Sequence, residues 1–180
     1  DSFGCDTARN LAITYNFDNS DDGGYGLNPP AIGSRLLQTP LIHTQSNNDT
    51  AKLPYDTLVG YKLTGMSGFN GFRGGGDLCN GDPAQAIYAY NFMRGKNGCG
   101  ENIFNWVNAF PTNFRYSGNA CSRTGWYDST AGDKRIISNM GPFLMNPGDT
   151  QIIVLNFMIT REGGNNLQNV CALQSLSDSA

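Results

Sequence analysis

The stretch that decides the fold is Gln151–Thr160, with the sequence QIIVLNFMIT. Seven of these ten residues are Ile, Val, Leu, Phe or Met, and they do not alternate with polar residues. A strand with one face in water alternates, whereas a nearly continuous apolar run of this length is typical of a strand covered on both faces. We therefore expect Gln151–Thr160 to form a central strand of a sheet.

A turn precedes this strand. In Pro147-Gly148-Asp149, proline presets the first φ angle and glycine supplies the next. A second extended segment, Ile136–Met145, lies directly before the turn. The order strand, turn, strand predicts a hairpin between the two segments.

The sequence predicts two helices. The first runs from Pro83 to Arg94 with Asp82 as its N-cap, because proline suits the first helical position. The second begins after a cap at Asn165 or Asn166. Its apolar face recurs at i, i+3 spacing and consists of Leu167, Val170, Leu173 and Leu176.

Composition sets the fold class. The 180 residues include 23 glycines and 8 prolines, and only 15% are charged. Abundant turn formers weaken helices and favour a loop-rich β protein. The net charge of −3 argues against nucleic acid as a partner, and no apolar run approaches the ~20 residues of a membrane span. The prediction is a mainly β, β-sandwich-like single domain over residues 1–180, with two packed α-helices.

The cysteines indicate the compartment. They are Cys5, Cys79, Cys99, Cys121 and Cys171. The first four lie in Gly/Asn-rich segments typical of cross-linked extracellular loops, so they are the disulfide candidates. Their connectivity stays open; pairing Cys79 with Cys99 is one alternative, which would link the two ends of the first helix. Cys171 lies on the apolar stripe of the second helix, where we expect a buried free thiol.

Several motifs follow one another along most of the chain. They are Asp6-Thr7, Tyr15-Asn16-Phe17-Asp18, Tyr25-Gly26, Pro29-Pro30-Ala31-Ile32-Gly33, Gly81-Asp82-Pro83, Tyr90-Asn91-Phe92-Met93-Arg94-Gly95, Gly125-Trp126-Tyr127-Asp128, Asp133-Lys134-Arg135, Gly141-Pro142-Phe143 and Pro147-Gly148-Asp149-Thr150-Gln151. With the final helix, this ordered set resembles an uncharacterised extracellular region of large proteins secreted by Bacteroidetes-like bacteria. Many such proteins carry a C-terminal type IX secretion sorting domain. The resemblance implies a secreted, cell-surface location and a processed or excised part of a longer precursor, and it supplies no catalytic residues.

An acidic turn is the candidate metal site. Its oxygen-bearing side chains are those of Asp18, Asn19, Asp21 and Asp22. Oxygen ligands suit Ca²⁺, and the glycines that follow allow backbone carbonyls to turn inward. The alternative is an Asx-type turn in which these side chains only cap the backbone. Calcium is the one candidate cofactor that the sequence indicates.

Aromatic residues in an irregular segment are the candidate binding site. They are Trp106, Tyr116, Trp126 and Tyr127. Exposed Trp and Tyr beside Asn and Asp stack on sugar rings or anchor a protein partner. The favoured alternative is that these residues fill a core beneath long loops.

Catalytic groups are scarce. The chain has one histidine, His43, and two glutamates, and no Gly-x-Ser-x-Gly motif surrounds a serine. We therefore expect no enzyme. The hypothesis is a non-catalytic extracellular structural or interaction module, a subunit or segment of a cell-surface or filamentous assembly. Its partners would be copies of itself or other domains of the same precursor. The alternative is a glycan partner, for a carbohydrate-binding accessory domain of a secreted polysaccharide-degrading protein.

Overall fold

Strands dominate the computed structural model, which describes residues 2–6, 11–15, 24–26, 28–128, 134–162 and 164–179. The strands are β1 (Ser2–Asp6), β2 (Leu11–Tyr15), β3 (Ala31–Gln38), β4 (Leu41–His43), β5 (Thr50–Lys52), β6 (Thr57–Val59), β7 (Tyr61–Leu63), β8 (Met66–Arg73), β9 (Ile103–Phe104), β10 (Pro111–Thr112), β11 (Lys134–Met140) and β12 (Val154–Thr160). The helices are α1 (Ala86–Met93) and α2 (Asn166–Asp178). The predicted mainly β fold with two helices is confirmed.

One four-stranded antiparallel sheet organises the fold, in the order β1-β2-β3-β12. The described strands also form four two-stranded antiparallel sheets, β4-β7, β5-β6, β8-β11 and β9-β10. Within the large sheet, Ile159 lies opposite Ile32, and Met158 lies opposite Gly33. The predicted central position of Gln151–Thr160 is wrong, because β12 lies at the end of this sheet. An apolar run shows the composition of a strand, but it does not predict which neighbouring segments pack on that strand.

The predicted hairpin is also wrong. The turn forms, since the Asp149 backbone N–H donates to the Asn146 carbonyl at 3.0 Å and Gly148 has a φ of +92°. The flanking strands nevertheless pair elsewhere: β11 with β8, and β12 with β3. A favourable turn fixes the local direction of the chain, but packing against distant strands decides the pairing.

Helix α2 covers one face of the four-stranded sheet. The core beneath it consists of Ala31, Ala120, Met158, Val170 and Leu173. Asn165 is the N-cap, as one of the two predicted alternatives had it, and its side-chain oxygen accepts a hydrogen bond from the Gln168 backbone N–H at 3.0 Å. Full burial of an aliphatic side chain such as Leu173 contributes about 1.5–3 kcal/mol.

The opposite face of this sheet is covered over part of its area. Leu36 of β3 packs there against Met66 and Phe69 of β8, and Phe69 is fully buried. Ile136 and Met140 of β11 pack against the same cluster. The β8-β11 pair therefore forms a second layer around Leu36.

Helix α1 begins later than predicted. Its N-cap is Gln85, not Asp82. Gly81 forms a bridge with Arg73, and the Asp82 carboxylate pairs with the Arg135 guanidinium at 3.3 Å. These tertiary contacts hold the chain outside the helix despite a favourable local sequence. No helix in the described part of the chain is long and apolar enough to cross a membrane.

Two disulfides brace the fold. Cys79 bonds Cys99 across α1, which is one of the pairings left open, and Cys121 bonds Cys171. The predicted free thiol at Cys171 is therefore wrong. The side chain of Cys5, the remaining disulfide candidate, lies outside the described part of the structure. Helical periodicity identifies the apolar stripe of α2, but it does not reveal that the loop carrying Cys121 packs against that stripe.

Candidate functional site

A short hairpin carries three exposed aromatic side chains, Phe104, Trp106 and Phe110. It consists of β9, β10 and the loop between them, and we call residues 103–112 the aromatic hairpin. The Asn105 backbone N–H donates to the Phe110 carbonyl at 2.9 Å, and the Ala109 N–H donates to the Asn105 carbonyl at 2.7 Å. These bonds close the loop into a defined turn.

Asparagine side chains fix the loop from within. The Asn105 side-chain oxygen accepts from the Val107 backbone N–H at 2.9 Å, and the Asn108 side-chain oxygen accepts from the Phe110 N–H at 3.0 Å. Such Asx turns replace backbone hydrogen bonds that a tight loop cannot form. Ala109 completes the turn with a φ of +59°. The sequence NWVNAF therefore specifies a loop whose polar groups turn inward.

The same loop directs its large apolar side chains outward. They are Phe104, Trp106, Val107 and Phe110, with exposed fractions between 57% and 71%. Scattered apolar residues are ordinary on a protein surface, but a contiguous apolar group is typical of a recognition surface. The aromatic hairpin is therefore suited chemically to bind an apolar or aromatic partner surface.

The structure separates the four predicted binding residues. Trp106 is exposed on the aromatic hairpin, whereas Tyr116 and Trp126 are half-buried and meet edge-on, with ring centroids 5.3 Å apart. Tyr127 packs against the core beneath α2. Burial raises the pKa of Tyr116 above its usual value, and the nearby Asp128 carboxylate adds to this. Core packing thus accounts for three of the four residues.

The predicted calcium ligands Asp18, Asn19, Asp21 and Asp22 lie outside the described residues. In the part of the chain that is described, no group of three or more His, Cys, Asp or Glu side chains is arranged to hold a metal ion.

An open groove of about 540 Å³ contains His43. The imidazole lies 5.0 Å from the Tyr61 ring, and Asp149 also lines the groove. The Asp149 carboxylate accepts hydrogen bonds from the Asn146 backbone N–H and side-chain amide at 2.7 and 3.1 Å, so it holds the turn before β12. The sequence does not predict that His43 and Asp149 lie in one groove, since no local motif joins residues this far apart in the chain.

A second apolar surface lies on β12. We define the outer face of β12 as Ile32, Leu155, Phe157 and Ile159, which share the sheet face opposite α2. Phe157 is 72% exposed and Ile159 is 63% exposed, whereas Met158 between them is 7% exposed. The apolar composition of this strand predicts that it is covered on both faces, and the exposure of Phe157 and Ile159 differs from that prediction.

Comparisons of the chain with protein-family models, with curated proteins and with solved structures give no match. Function is therefore inferred from the surfaces that the fold presents. Two of them, the aromatic hairpin and the outer face of β12, expose apolar side chains on strands or a hydrogen-bonded loop. Both suit the binding of a macromolecular surface better than the capture of a small polar molecule.

Proposed function

We propose that this chain is a non-catalytic extracellular interaction module that binds another protein through the aromatic hairpin. The observation that carries the proposal is the outward orientation of four large apolar side chains on one short hydrogen-bonded loop. Tryptophan and other aromatic residues supply much of the binding energy at protein interfaces, because they bury a large area with few rotatable bonds.

Rigidity supports this proposal. The Asn105 and Asn108 side chains hold the loop from inside, and the Cys79–Cys99 bond closes the segment that leads into β9. A surface already held in one conformation loses little entropy when a partner binds. The aromatic hairpin therefore needs no further ordering to act as an anchor.

Two disulfides are compatible with an extracellular location, since disulfides persist in oxidising compartments. We extend this to secretion and display at the cell surface, in agreement with the extracellular family that the motifs resemble. In such a setting the chain is one module of a larger precursor or assembly, and its partner is another subunit or a neighbouring domain.

Carbohydrate binding is the alternative function for the same surface. Trp106 has a ring that can stack on a sugar, and Asn105 and Asn108 flank it in the sequence. However, the side-chain oxygens of both asparagines already accept backbone hydrogen bonds within the loop. Because these acceptors are occupied, few polar groups remain at the tip to select a sugar, and a protein partner fits better.

Site-specific photocrosslinking tests the proposed function. The residue at position 106 is replaced by p-benzoyl-phenylalanine, and the chain is irradiated on the surface of cells that produce it. Tyr55 receives the same replacement as a matched control, because it is a fully exposed aromatic residue outside the aromatic hairpin. We expect a discrete protein adduct from position 106 and none from position 55.

Equal labelling from both positions, or no adduct from position 106, would contradict a specific protein contact at the hairpin. An adduct with polysaccharide alone would replace the proposed function with the carbohydrate-binding alternative. Binding of wild-type chain to a glycan array, abolished by Trp106→Ala, would lead to the same conclusion.

A further inference from the structure

We propose that the outer face of β12 packs against the same face of a second copy of this chain, so that two copies form a twofold-symmetric dimer. The proposal goes beyond the function assigned to the aromatic hairpin, because it concerns a different surface and names its occupant. It does not depend on what the aromatic hairpin binds.

The sequence of β12 disagrees with its surroundings. Gln151–Thr160 has the composition of a strand covered on both faces, yet α2 covers one face only. Phe157 and Ile159 consequently expose more than half of their surface. A second protein layer on the outer face gives the strand the surroundings that its composition favours.

The lack of charged residues in β12 also favours a second copy as the partner. β12 carries no charged residue, and the nearest charged side chains on the same stretch are those of Arg161 and Glu162 beyond its C-terminal end. Arg161 is held to one side, with its guanidinium over the Tyr25 ring at 4.6 Å and its Nε donating to the Asn28 carbonyl at 3.1 Å. A twofold contact requires a surface that complements itself. An uncharged apolar surface meets this condition, because two copies bring no like charges together.

The exposed apolar area sets the size of the contact. The four side chains of the outer face are exposed by 42% to 72%. With roughly 200 Å² for a fully exposed large side chain, the four present about 440 Å². Two copies together bury about 900 Å², which lies in the range of weak, transient interfaces. A small, reversible dimer is therefore the expected assembly.

The shape of the surface agrees with this occupant. The β8-β11 pair covers the sheet around Leu36 and leaves the β12 end uncovered. The outer face of β12 therefore forms a step, one layer lower than the β8-β11 pair beside it. Two such steps related by a twofold axis can interlock, because each copy supplies a second layer to the exposed strand of the other. The contact completes on β12 the two-layered β packing that the sequence predicts.

Sedimentation velocity over a wide concentration range tests the proposal on the oxidised full chain. We expect wild-type chain to pass reversibly from monomer to dimer and to grow no further. Phe157→Lys weakens the dimer by about a hundredfold or more, because two lysines enter an apolar contact. Ile159→Lys gives a second variant at an equally exposed position. Tyr55→Lys is the matched control, because Tyr55 is a fully exposed aromatic residue outside both surfaces, and it leaves the dimerisation constant unchanged.

Circular dichroism melting of each variant shows that the fold is kept. Wild-type chain that stays monomeric at every concentration would overturn the proposal, as would a dimer that survives both Phe157→Lys and Ile159→Lys. Loss of the dimer in Tyr55→Lys would also overturn the proposal, because the effect of an added lysine would then not depend on the outer face of β12. Growth beyond a dimer would contradict a closed twofold contact. None of these outcomes alters the crosslinking result at position 106, so the two proposals fail independently.

Discussion

The two faces of β12 have different surroundings. On the inner face, Met158 packs against the core beneath α2, and the Thr160 hydroxyl donates to the Asn169 carbonyl at 2.8 Å. On the outer face, Phe157 and Ile159 alternate with these residues along the same strand but stand exposed. The inner face is covered by α2 and by Ala120, Cys121 and Tyr127, which pack on the same core.

The inner face holds the fold together, whereas the outer face is available for association. Val170 and Leu173 of α2 are fully buried over the inner face, and the Cys121–Cys171 bond attaches α2 to the loop that carries Cys121. Substitutions on the inner side should therefore change the free energy of unfolding, and substitutions on the outer side should not.

The largest expected effect is loss of the bond that fastens α2. The Cys121–Cys171 bond spans 50 residues of sequence and the Cys79–Cys99 bond spans 20. In the chain-entropy account, opening a loop of 50 residues costs about 4 kcal/mol and opening one of 20 costs about 3 kcal/mol. We expect Cys121→Ser with Cys171→Ser to lower the free energy of unfolding more than Cys79→Ser with Cys99→Ser does. Urea unfolding of the two double variants measures this order, and the reverse order would show that α2 is held mainly by packing.

The next largest effect is at Asn169, a fully buried polar residue of α2. Its side-chain amide donates to the Asn28 side-chain oxygen and the Pro29 carbonyl, both at 2.7 Å, and its side-chain oxygen accepts from the Glu162 N–H at 2.9 Å. Asn169→Ala leaves these partners without a bond and should cost about 3 kcal/mol.

The neighbouring exposed position on α2 supplies the control for Asn169. Gln168→Ala should change the free energy of unfolding by less than about 0.5 kcal/mol, because it is a surface substitution on the same helix. Equal losses for the two alanine variants in urea unfolding would mean that the buried Asn169 bonds do not hold the inner side.

A smaller effect is expected at the ion pair between Asp49 and Lys62, in which Lys62 lies on β7. Hydrogen bonding to the Lys62 ammonium at 2.8 Å holds the pKa of Asp49 below its usual 3.8. Because the folded pKa is the lower one, this stabilisation is present above about pH 4 and is lost as the pH falls through the folded pKa. Asp49→Asn and Lys62→Met should each reduce the acid dependence of Tm.

The Asp49–Lys62 double variant supplies the check on that prediction. It should reduce the acid dependence no further than Asp49→Asn alone, because the carboxylate that titrates is then already absent. A further reduction in the double variant, in thermal melts between about pH 5 and about pH 2, would show that Lys62 contributes to the acid dependence without Asp49.

The smallest expected effect is on the outer face. Phe157→Ser should change the free energy of unfolding of the dilute monomer by less than about 0.5 kcal/mol, since an exposed side chain loses little packing when truncated. The matched change on the inner face, Met158→Ser, should cost several times more. If urea unfolding gave equal losses for the two, the faces of β12 would not differ in coverage.

Local sequence predicts well those features that neighbouring residues decide. The mainly β fold, the Asn165 cap and the apolar stripe with Val170 and Leu173 all follow from turn formers, capping chemistry and helical spacing. The predictions that are wrong concern features that depend on contacts between residues distant in the chain. Asp82 forms an ion pair with Arg135 and does not cap the helix. Cys171 forms a disulfide bond with Cys121 of a separate loop.

The candidate site divides in the same way. Trp106 was identified as a binding candidate from its type and its polar neighbours, and the structure places it on an exposed loop. The partial burial of Tyr116 and Trp126 depends on how distant segments fold over them, which spacing does not encode. The sequence does not predict the exposure of Phe157 for the same reason. The composition of β12 is known from the sequence, but the segments that pack against it are not.

Hydroxyl-radical footprinting with mass spectrometry compares the two faces of β12 most directly. At low concentration, the account predicts fast oxidation of Phe157 and slow oxidation of Met158, although methionine is intrinsically the more easily oxidised side chain. At high concentration, Phe157 becomes protected while Trp106 continues to react. Protection of Phe157 at every dilution would mean that the chain itself covers the outer face, and unchanged oxidation of Phe157 at every concentration would mean that no second copy packs on it.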